Sequence, residues 1–215
     1  MIQFNGVSKK FKDLLLFEDV NINIREGKKT AIVGPNGSGK SVLLKLIVGY
    51  SAPTLGSIVI DGKKLQQDID FVPNGGVSIN APEFIGSLTG LENLREIARI
   101  RRCVKEADII LLAKKVNFEA ELSKKYKTYS LGMKQKMRLI QALMERPDYL
   151  ILDEPFDGLD RLSKKIVIEM LDEYVEETGC TLVFTNHGEE VFEIADVVYE
   201  IDDKKLRLIK GESEC

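Results

Sequence analysis

The segment Gly34-Pro-Asn-Gly-Ser-Gly-Lys-Ser41 constrains the fold more than any other part of the sequence. The apolar residues 30–33 precede it and predict a short buried strand, and residues 41–48 predict a helix that ends at Gly49. A glycine-rich loop between a strand and a helix can turn its backbone N–H groups toward phosphate oxygens. We therefore predict a phosphate-binding loop made by Gly34, Pro35, Asn36, Gly37, Ser38, Gly39, Lys40 and Ser41.

Two adjacent carboxylates give the second chemical signal. The apolar residues 149–152 predict a buried strand, and Asp153 and Glu154 follow it directly. At the carboxyl end of a parallel strand, such side chains face the ligand crevice. In a phosphate-loop protein, Lys40 reaches the β- and γ-phosphates, and the Ser41 hydroxyl and Asp153 hold Mg²⁺. We expect Glu154 to polarise the attacking water as an ionised general base.

The order of the predicted elements gives the fold class. Strands are predicted near residues 2–4, 20–24 and 56–62, and a strand, helix and strand follow at 149–152, 163–177 and 181–185. Buried strands joined by a helix indicate a parallel sheet and an α/β fold. Between them, residues 91–146 have helical spacing, so we expect a helical subdomain at about 81–145 inserted into a single domain of 215 residues.

The composition limits the partners and the cellular location. With 31 Lys and Arg against 34 Asp and Glu, the net charge is −3, and we expect no nucleic-acid binding. The three cysteines have no spacing typical of disulfides or a metal site, which fits a reducing cytoplasm. No signal peptide or membrane-spanning run is visible. We expect a soluble cytoplasmic protein that contacts a membrane only through another polypeptide.

The segment Tyr129-Ser-Leu-Gly-Met-Lys-Gln135 and the single histidine, His187, complete the pattern. In this order with the phosphate loop and Asp153-Glu154-Pro155, they make the chain resemble the nucleotide-binding domains of ABC transporters over nearly its whole length. The resemblance implies an α/β P-loop NTPase (RecA-like) fold with a mainly parallel sheet, an N-terminal antiparallel β-subdomain and the inserted helical subdomain. The core and β-subdomain would then comprise residues 1–80 and 146–215.

The resemblance also assigns roles to residues. The segment at 129–135 looks like the family's LSGGQ motif, in which Ser130 and Gly132 would contact the γ-phosphate bound to the opposite subunit. It departs from that motif at Leu131 and Met133, a variant common among bacterial drug and peptide exporters. Asp160 lies in a segment similar to the family's D-loop, although it could also be only a helix cap. His187 would contact the γ-phosphate and orient Glu154.

Two further positions have alternatives. Phe11 looks like the aromatic residue that stacks on adenine, and Phe17 is the second candidate. Asn80 stands where the family usually has a glutamine that binds Mg²⁺ and reports the nucleotide state to the membrane partner. Asn74 is the alternative at this position. Since asparagine is one methylene shorter than glutamine, a bridging water could complete the link to the metal.

The resemblance implies an ATPase with ATP and Mg²⁺ that dimerises, as a homodimer or with a paired ABC subunit, around two ATP. Closure and opening of the dimer would drive a separate transmembrane permease on the inner face of the cell membrane, most similar to exporters of drugs or peptides. The alternative is a soluble ABC ATPase without a permease. A GTPase or nucleotide kinase is disfavoured, because the Asn-Lys-x-Asp guanine motif is absent and the segment at 129–135 would have no role.

Overall fold

A six-stranded sheet forms the centre of the computed structural model, which describes residues 1–188 and 191–211. The strands are β1 Ile2–Phe11, β2 Leu14–Ile24, β3 Lys29–Val33, β4 Leu55–Ile60, β5 Lys63–Lys64, β6 Gly75–Ser78, β7 Tyr149–Leu152, β8 Thr181–Thr185, β9 Val197–Asp202 and β10 Lys205–Lys210. The helices are α1 Lys40–Val48, α2 Gly90–Arg101, α3 Glu106–Lys115, α4 Leu131–Leu143, α5 Arg161–Thr178 and α6 Val191–Ile194, with 3-10 turns at Glu119–Ser123 and Tyr126–Thr128.

The central sheet has the strand order β10-β9-β3-β8-β7-β6. All neighbouring pairs are parallel except β10 with β9, which confirms the predicted mainly parallel sheet. Every residue of β7 and β8 is buried, as expected for strands covered on both faces. The carboxyl ends of β3, β6, β7 and β8 meet at one edge of the sheet, and the phosphate loop and the acidic pair lie at that edge.

The N-terminal strands form a separate antiparallel sheet with the order β2-β1-β4-β5, which confirms the expected β-subdomain. β1 and β2 are much longer than predicted, since they continue to a hairpin turn at residues 12–13. Lys12 has a positive φ of 51° in this turn. Three register shifts interrupt the pairing between β1 and β2 and break the alternation of apolar and polar residues. The alternation of apolar and polar residues therefore indicates only the regularly paired parts of the two strands, near residues 2–4 and 20–24.

The helical insertion packs as part of the same apolar core as one face of the central sheet. Leu94 of α2, Ile109 of α3 and Met137 of α4 are all buried in that cluster. α2 begins at a capping box, in which the Thr89 side chain accepts a hydrogen bond from the Glu92 N–H and the Glu92 carboxylate accepts one from the Thr89 N–H. The predicted helical region is therefore present, but loops and two 3-10 turns divide it.

Within residues 1–188 and 191–211, none of the helices combines the length and apolar character that a membrane span requires.

Candidate active site

The phosphate loop connects β3 to α1 and has a backbone that needs glycine at its two ends. Gly34 has a φ of 145°, and a Cβ there would lie 2.8 Å from the carbonyl oxygen of Ile201. Gly39 has a φ of 102°, and a Cβ there would lie 3.3 Å from the ring of Phe17. The loop can thus follow this path only because neither position carries a side chain. Pro35 to Gly37 are exposed, and α1 begins directly after the loop at Lys40.

Lys40 and Ser38 make the loop suitable for a polyphosphate. Lys40 is a buried residue, and its Nζ donates hydrogen bonds to the carbonyl oxygens of Gly34 (2.9 Å) and Pro35 (3.1 Å). Burial lowers the pKa of Lys40, while the nearby carboxylates of Glu154 and Asp153 act in the opposite direction. The Ser38 hydroxyl is buried and has no hydrogen-bond partner among the described residues. A phosphate oxygen would satisfy this group and the ammonium charge together.

The acidic pair lies at the end of β7, where Thr185 from the end of β8 holds it. The Thr185 hydroxyl donates to Asp153 Oδ1 at 2.7 Å and accepts from the Glu154 N–H at 3.0 Å. His187 Nε2 lies 2.8 Å from Glu154 Oε1. The structure therefore brings together the two predicted catalytic residues, Glu154 and His187, beside the predicted metal ligand Asp153.

Glu154 has an unusual backbone conformation that aims its side chain. Its φ is 50°, in the left-handed region that a residue with a Cβ rarely adopts. Three contacts hold it there: the Thr185 hydroxyl on its N–H, His187 on its carboxylate, and the Gln135 amide, which donates to its carbonyl oxygen at 3.1 Å. Strained backbone that several neighbours hold in place is characteristic of catalytic positions.

The two candidates for the glutamine position lie at opposite ends of β6. Asn80 follows the carboxyl end, and its N–H donates to Asp153 Oδ2 at 3.4 Å. Asn74 precedes the amino end, where its side chain donates to the Arg146 carbonyl oxygen at 3.1 Å and to Asp148 Oδ2 at 3.0 Å. The alternative assignment to Asn74 is wrong, because the length of the strand separates this residue from the phosphate loop.

The two candidates for the adenine contact also differ. Phe11, at the tip of the β1–β2 hairpin, is 48% exposed, and the Lys9 ammonium lies 4.5 Å from the centre of its ring. Phe17 is 1% exposed and belongs to the core beneath Gly39, so it has no free face for stacking. Phe17 is therefore wrong as an adenine contact. Leu14 and Leu16 of the same hairpin line a shallow cavity beside the phosphate loop.

The segment at 129–135 and Asp160 face a common cavity of about 470 Å³, which Ser130, Gly132 and Lys136 help to line. Ser130 is the N-cap of α4, and its hydroxyl accepts from the Met133 N–H at 3.3 Å. A Cβ at Gly132 would lie 2.9 Å from the carbonyl oxygen of Gly158, so this position allows the close approach of two chain segments. Within the described ranges, the lining of this cavity includes no residue of the phosphate loop.

Asp160 is the N-cap of α5, where its carboxylate accepts hydrogen bonds from the Ser163 N–H at 2.8 Å and the Ser163 hydroxyl at 3.1 Å. The first of these bonds, from the backbone, is the larger cause of its lowered pKa. The sequence predicted this capping role, and the cavity position is compatible with a second role in a dimer.

Sequence reasoning missed three residues of the site: Thr185, Gln135 and Arg138. Thr185 is the polar last residue of an apolar strand, which is a signal that could have been used. Gln135 and Arg138 lie on one face of α4 at a spacing of three residues, and both are buried although both are polar. Because α4 has apolar residues on more than one side, its sequence does not show which of its polar residues are buried.

Comparison with known proteins identifies the family. A family model described as ABC transporter matches residues 17–157. The uncharacterized ABC transporter ATP-binding protein YdbJ of Bacillus subtilis (strain 168) is 32% identical over 215 residues, which cover 99% of this chain and 67% of YdbJ. The lantibiotic transport ATP-binding protein SrtF of Streptococcus pyogenes is 31% identical over 212 residues, which cover 98% of this chain and 90% of SrtF.

The dimeric structure of MJ0796, a bacterial ABC transporter cassette, superposes on all of this chain with a TM-score of 0.89 and 26% identity, and all of that cassette is covered. Its post-hydrolysis state with ADP and Pi gives a TM-score of 0.87 with 25% identity and the same coverage of both chains. The chain belongs to the ABC transporter family and is an ATP-binding subunit that hydrolyses ATP.

Proposed function

We propose that two copies of this chain, or one copy and a paired ABC subunit, enclose two ATP molecules between them. Each site would combine the Lys40 loop of one subunit with the Ser130 segment of the other. The cavity lined by Ser130, Gly132 and Asp160 carries this proposal, because it presents polar groups and a helix N-terminus but contains no part of its own subunit's phosphate loop. The dimeric state of MJ0796 gives it further support.

In this dimer the residues of the phosphate edge have separate tasks. Lys40 and the loop N–H groups bind the phosphates, and Phe11 offers a ring face to the base. Ser41, Asp153 and, through a water, Asn80 would hold Mg²⁺, which neutralises charge on the phosphate oxygens when bound. Mg²⁺ suits this set because it uses few protein ligands and keeps several waters. Among the described residues, no group of three or more His, Cys, Asp or Glu side chains could hold a metal alone.

Glu154 and His187 would act on the attacking water. The Glu154 carboxylate accepts the water's hydrogen bond and increases its nucleophilic character, as a general base does. His187 lies close enough to Glu154 to fix the direction of this carboxylate, with a distance of 2.8 Å between Nε2 and Oε1. The histidine side chain remains exposed at the sheet edge, so it can also reach a γ-phosphate.

Complementation between two inactive variants tests the composite site. Lys40→Ala removes the phosphate contact, and Gly132→Asp places a bulky negative group in the Ser130 segment. In a dimer of either variant alone, both sites would be damaged. A mixture forms heterodimers in which one site combines the intact loop of the Gly132→Asp chain with the intact segment of the Lys40→Ala chain.

We expect each variant alone to have no ATPase activity and the mixture to recover activity, which would be about one quarter of wild type if the two chains pair at random. This fraction follows because half of the dimers are mixed and each has one of two sites intact. If the mixture stays as inactive as its components while mixed dimers are demonstrated by differently tagged chains, the site is not shared between subunits.

We further propose that this subunit drives a transmembrane permease that exports drugs or peptides, from the inner face of the cell membrane. The name of SrtF, a lantibiotic transport protein, and the variant segment at 129–135 support an exporter of this class. Residues 80–94 would contact the permease, and the side chain of Glu83 there is 74% exposed, with its carboxylate 3.7 Å from the Lys134 ammonium. Phe84 is less suitable for a test, because it packs against the Tyr126 ring at 5.2 Å.

Membrane fractionation in cells with and without a co-expressed permease tests this partner. We expect Glu83→Gln, which keeps the size of the side chain and places no second cation beside Lys134, to reduce transport in reconstituted vesicles while the ATPase activity of the isolated subunit stays at the wild-type level. Loss of both activities together would contradict a coupling role for Glu83. A wild-type chain that stays out of the membrane fraction in the presence of every candidate permease would favour a soluble ABC ATPase.

A further inference from the structure

Arg138 is a buried cation whose contacts are all neutral. It lies on α4 and is 6% exposed, and within residues 1–188 and 191–211 its hydrogen bonds go to neutral oxygens rather than to a carboxylate. Its Nε donates to the Pro82 carbonyl oxygen at 3.1 Å, and its Nη2 to the Ala81 carbonyl oxygen at 3.5 Å. Its Nη1 donates to Gln135 Oε1 at 3.3 Å. Burial of a guanidinium without a counter-ion is costly, so its hydrogen bonds must offset a substantial desolvation penalty.

The first set of these bonds holds the loop that follows β6. Asn80 and Ala81 both have positive φ values, 56° and 47°, so two successive residues with side chains adopt the left-handed conformation. This turn directs the Asn80 N–H to Asp153 Oδ2. The carbonyl groups that come next, those of Ala81 and Pro82, are the ones that Arg138 binds. The guanidinium therefore holds the far side of a strained turn whose near side faces the predicted metal ligand.

The second set of bonds reaches the catalytic carboxylate's backbone. Gln135 lies one turn before Arg138 on α4, and its side chain is also buried. Because its Oε1 accepts from Arg138, its Nε2 must face the other way, where it donates to the Glu154 carbonyl oxygen at 3.1 Å. Without a donor at Arg138, the amide could rotate and present an acceptor to the Glu154 carbonyl, which cannot donate. Arg138 thus determines the orientation of the Gln135 amide.

We propose that Arg138 is a positioning residue that links the turn at residues 80–82 to Glu154 through Gln135. This inference rests on the proposed roles of Asn80 and Glu154 and adds a physical connection between them. The same guanidinium binds the turn and orients the amide, so a displacement of the turn changes the hydrogen bonds that hold Glu154 in its left-handed conformation. Since we propose that the turn belongs to the permease-contacting surface, Arg138 provides a route from that surface to hydrolysis.

Three variants test the link in the isolated subunit. Arg138→Met keeps the apolar stem and removes every donor. Arg138→Lys keeps the charge and some donors, so it should retain part of the kcat that Arg138→Met loses. Met137→Leu is the control, because Met137 is a buried neighbour on α4 without a polar contact to the turn. Thermal unfolding is measured for each, so that kinetics are compared only between folded proteins.

We expect Arg138→Met to lower kcat by about tenfold or more, since small displacements of catalytic groups have effects of this size. The affinity for ATP should change by less than about twofold, because the hydrogen bonds of Arg138 go to Ala81, Pro82 and Gln135 and not to the phosphate loop. The Mg²⁺ concentration that gives half-maximal activity should rise, because the Asn80 turn no longer faces Asp153. A purely structural role would not shift this Mg²⁺ dependence at unchanged ATP affinity.

A double-mutant cycle with Gln135→Leu tests whether Arg138 acts through Gln135. Adding Gln135→Leu to Arg138→Met should lower kcat by less than about twofold more, because the link is already broken. The proposal is overturned if folded Arg138→Met retains the wild-type kcat and Mg²⁺ dependence, or if its ATP affinity falls in parallel with kcat. It is also overturned if the losses of kcat caused by Arg138→Met and by Gln135→Leu multiply in the double variant. Failure of the proposed function is a separate result: Glu154→Gln would then continue to hydrolyse ATP.

Discussion

The replacement of Thr185 by valine tests how the acidic pair is held at the end of β7. Valine has almost the same shape as threonine and fills the same fully buried position, 0% exposed, so that only the hydroxyl is lost. That hydroxyl makes two bonds: it donates to Asp153 Oδ1 at 2.7 Å and accepts from the Glu154 N–H at 3.0 Å. Thr185→Val therefore removes one charged and one neutral hydrogen bond with little change in packing.

The expected cost follows from these two bonds. A hydrogen bond to a charged group contributes about 1.5–3 kcal/mol and a neutral one about 1 kcal/mol. Thr185→Val should therefore lower the free energy of unfolding by about 3 kcal/mol. The Asp153 carboxylate and the Glu154 N–H would also lose the hydroxyl that holds them both in place, so kcat should fall by more than about tenfold.

The same strand supplies a matched control. Thr181 is the first residue of β8 and is 1% exposed, and its hydroxyl accepts one hydrogen bond, from the Gly27 N–H at 3.1 Å. Thr181→Val should cost about 1 kcal/mol and leave kcat unchanged, since it lies at the opposite end of the strand from the site.

Urea unfolding gives the two stabilities and a coupled ATPase assay gives the two rates. If the variants prove equally destabilised and both retain the wild-type kcat, Thr185 does not organise the acidic pair and our reasoning is refuted.

Three further predictions concern single contacts. Lys40→Ala should sharply weaken ATP binding, measured by equilibrium binding of a fluorescent ATP analogue, because the phosphates lose their main counter-charge; unchanged binding would contradict the phosphate role. Phe11→Ala should lower ATP affinity by about tenfold, typical of a lost base stack, while inorganic triphosphate binds as before; equal losses for both ligands would exclude stacking. Hydrogen bonds from the Ser163 N–H and hydroxyl lower the pKa of Asp160, so its stabilisation of α5 is full above the ordinary Asp pKa of about 3.9 and is lost as pH falls through the lowered value. The stability difference between wild type and Asp160→Ala should therefore shrink from pH 7 to pH 2.5 in chemical denaturation, and a constant difference would refute the cap's charge dependence.

Elements bounded by clear chemical signals were predictable from the sequence. The limits of β7 and β8 agree with the predicted residues 149–152 and 181–185, because each strand is a fully buried apolar run with polar residues or turns on both sides. α1 ends at Gly49 as predicted, with this glycine in the left-handed conformation at a φ of 95°. The phosphate loop and the acidic pair lie at the ends of such elements, so their meeting at one sheet edge followed from topology.

The strand β6 was not predictable, although Asn80 lies just beyond its carboxyl end. Its sequence, Gly75-Gly-Val-Ser78, has little strand propensity, and the reason lies in a contact distant in sequence. A Cβ at Gly76 would lie 2.0 Å from the carbonyl oxygen of Ala142, so α4 packs directly on the bare backbone of this strand. A local pattern cannot reveal a glycine that is required by a helix more than sixty residues away.

The contacts that orient the site were hidden from sequence for the same reason. Thr185 is far from Asp153 in sequence, and Arg138 is farther still from the turn at residues 80–82. From the sequence alone, a threonine or an arginine at these positions is equally well explained as an exposed polar residue. Only the packing of β8 against β7, and of α4 against β6, turns them into parts of one site.

Size-exclusion chromatography of Glu154→Gln with and without Mg-ATP tests the central claim most directly. The amide cannot act as a base, so the variant should bind ATP without hydrolysing it and accumulate in the closed state. We predict a shift from monomer to dimer that requires ATP, is absent with ADP, and disappears when Gly132→Asp is added. A Glu154→Gln protein that binds ATP and remains monomeric at high protein concentration would contradict an ATP-enclosing dimer of this chain.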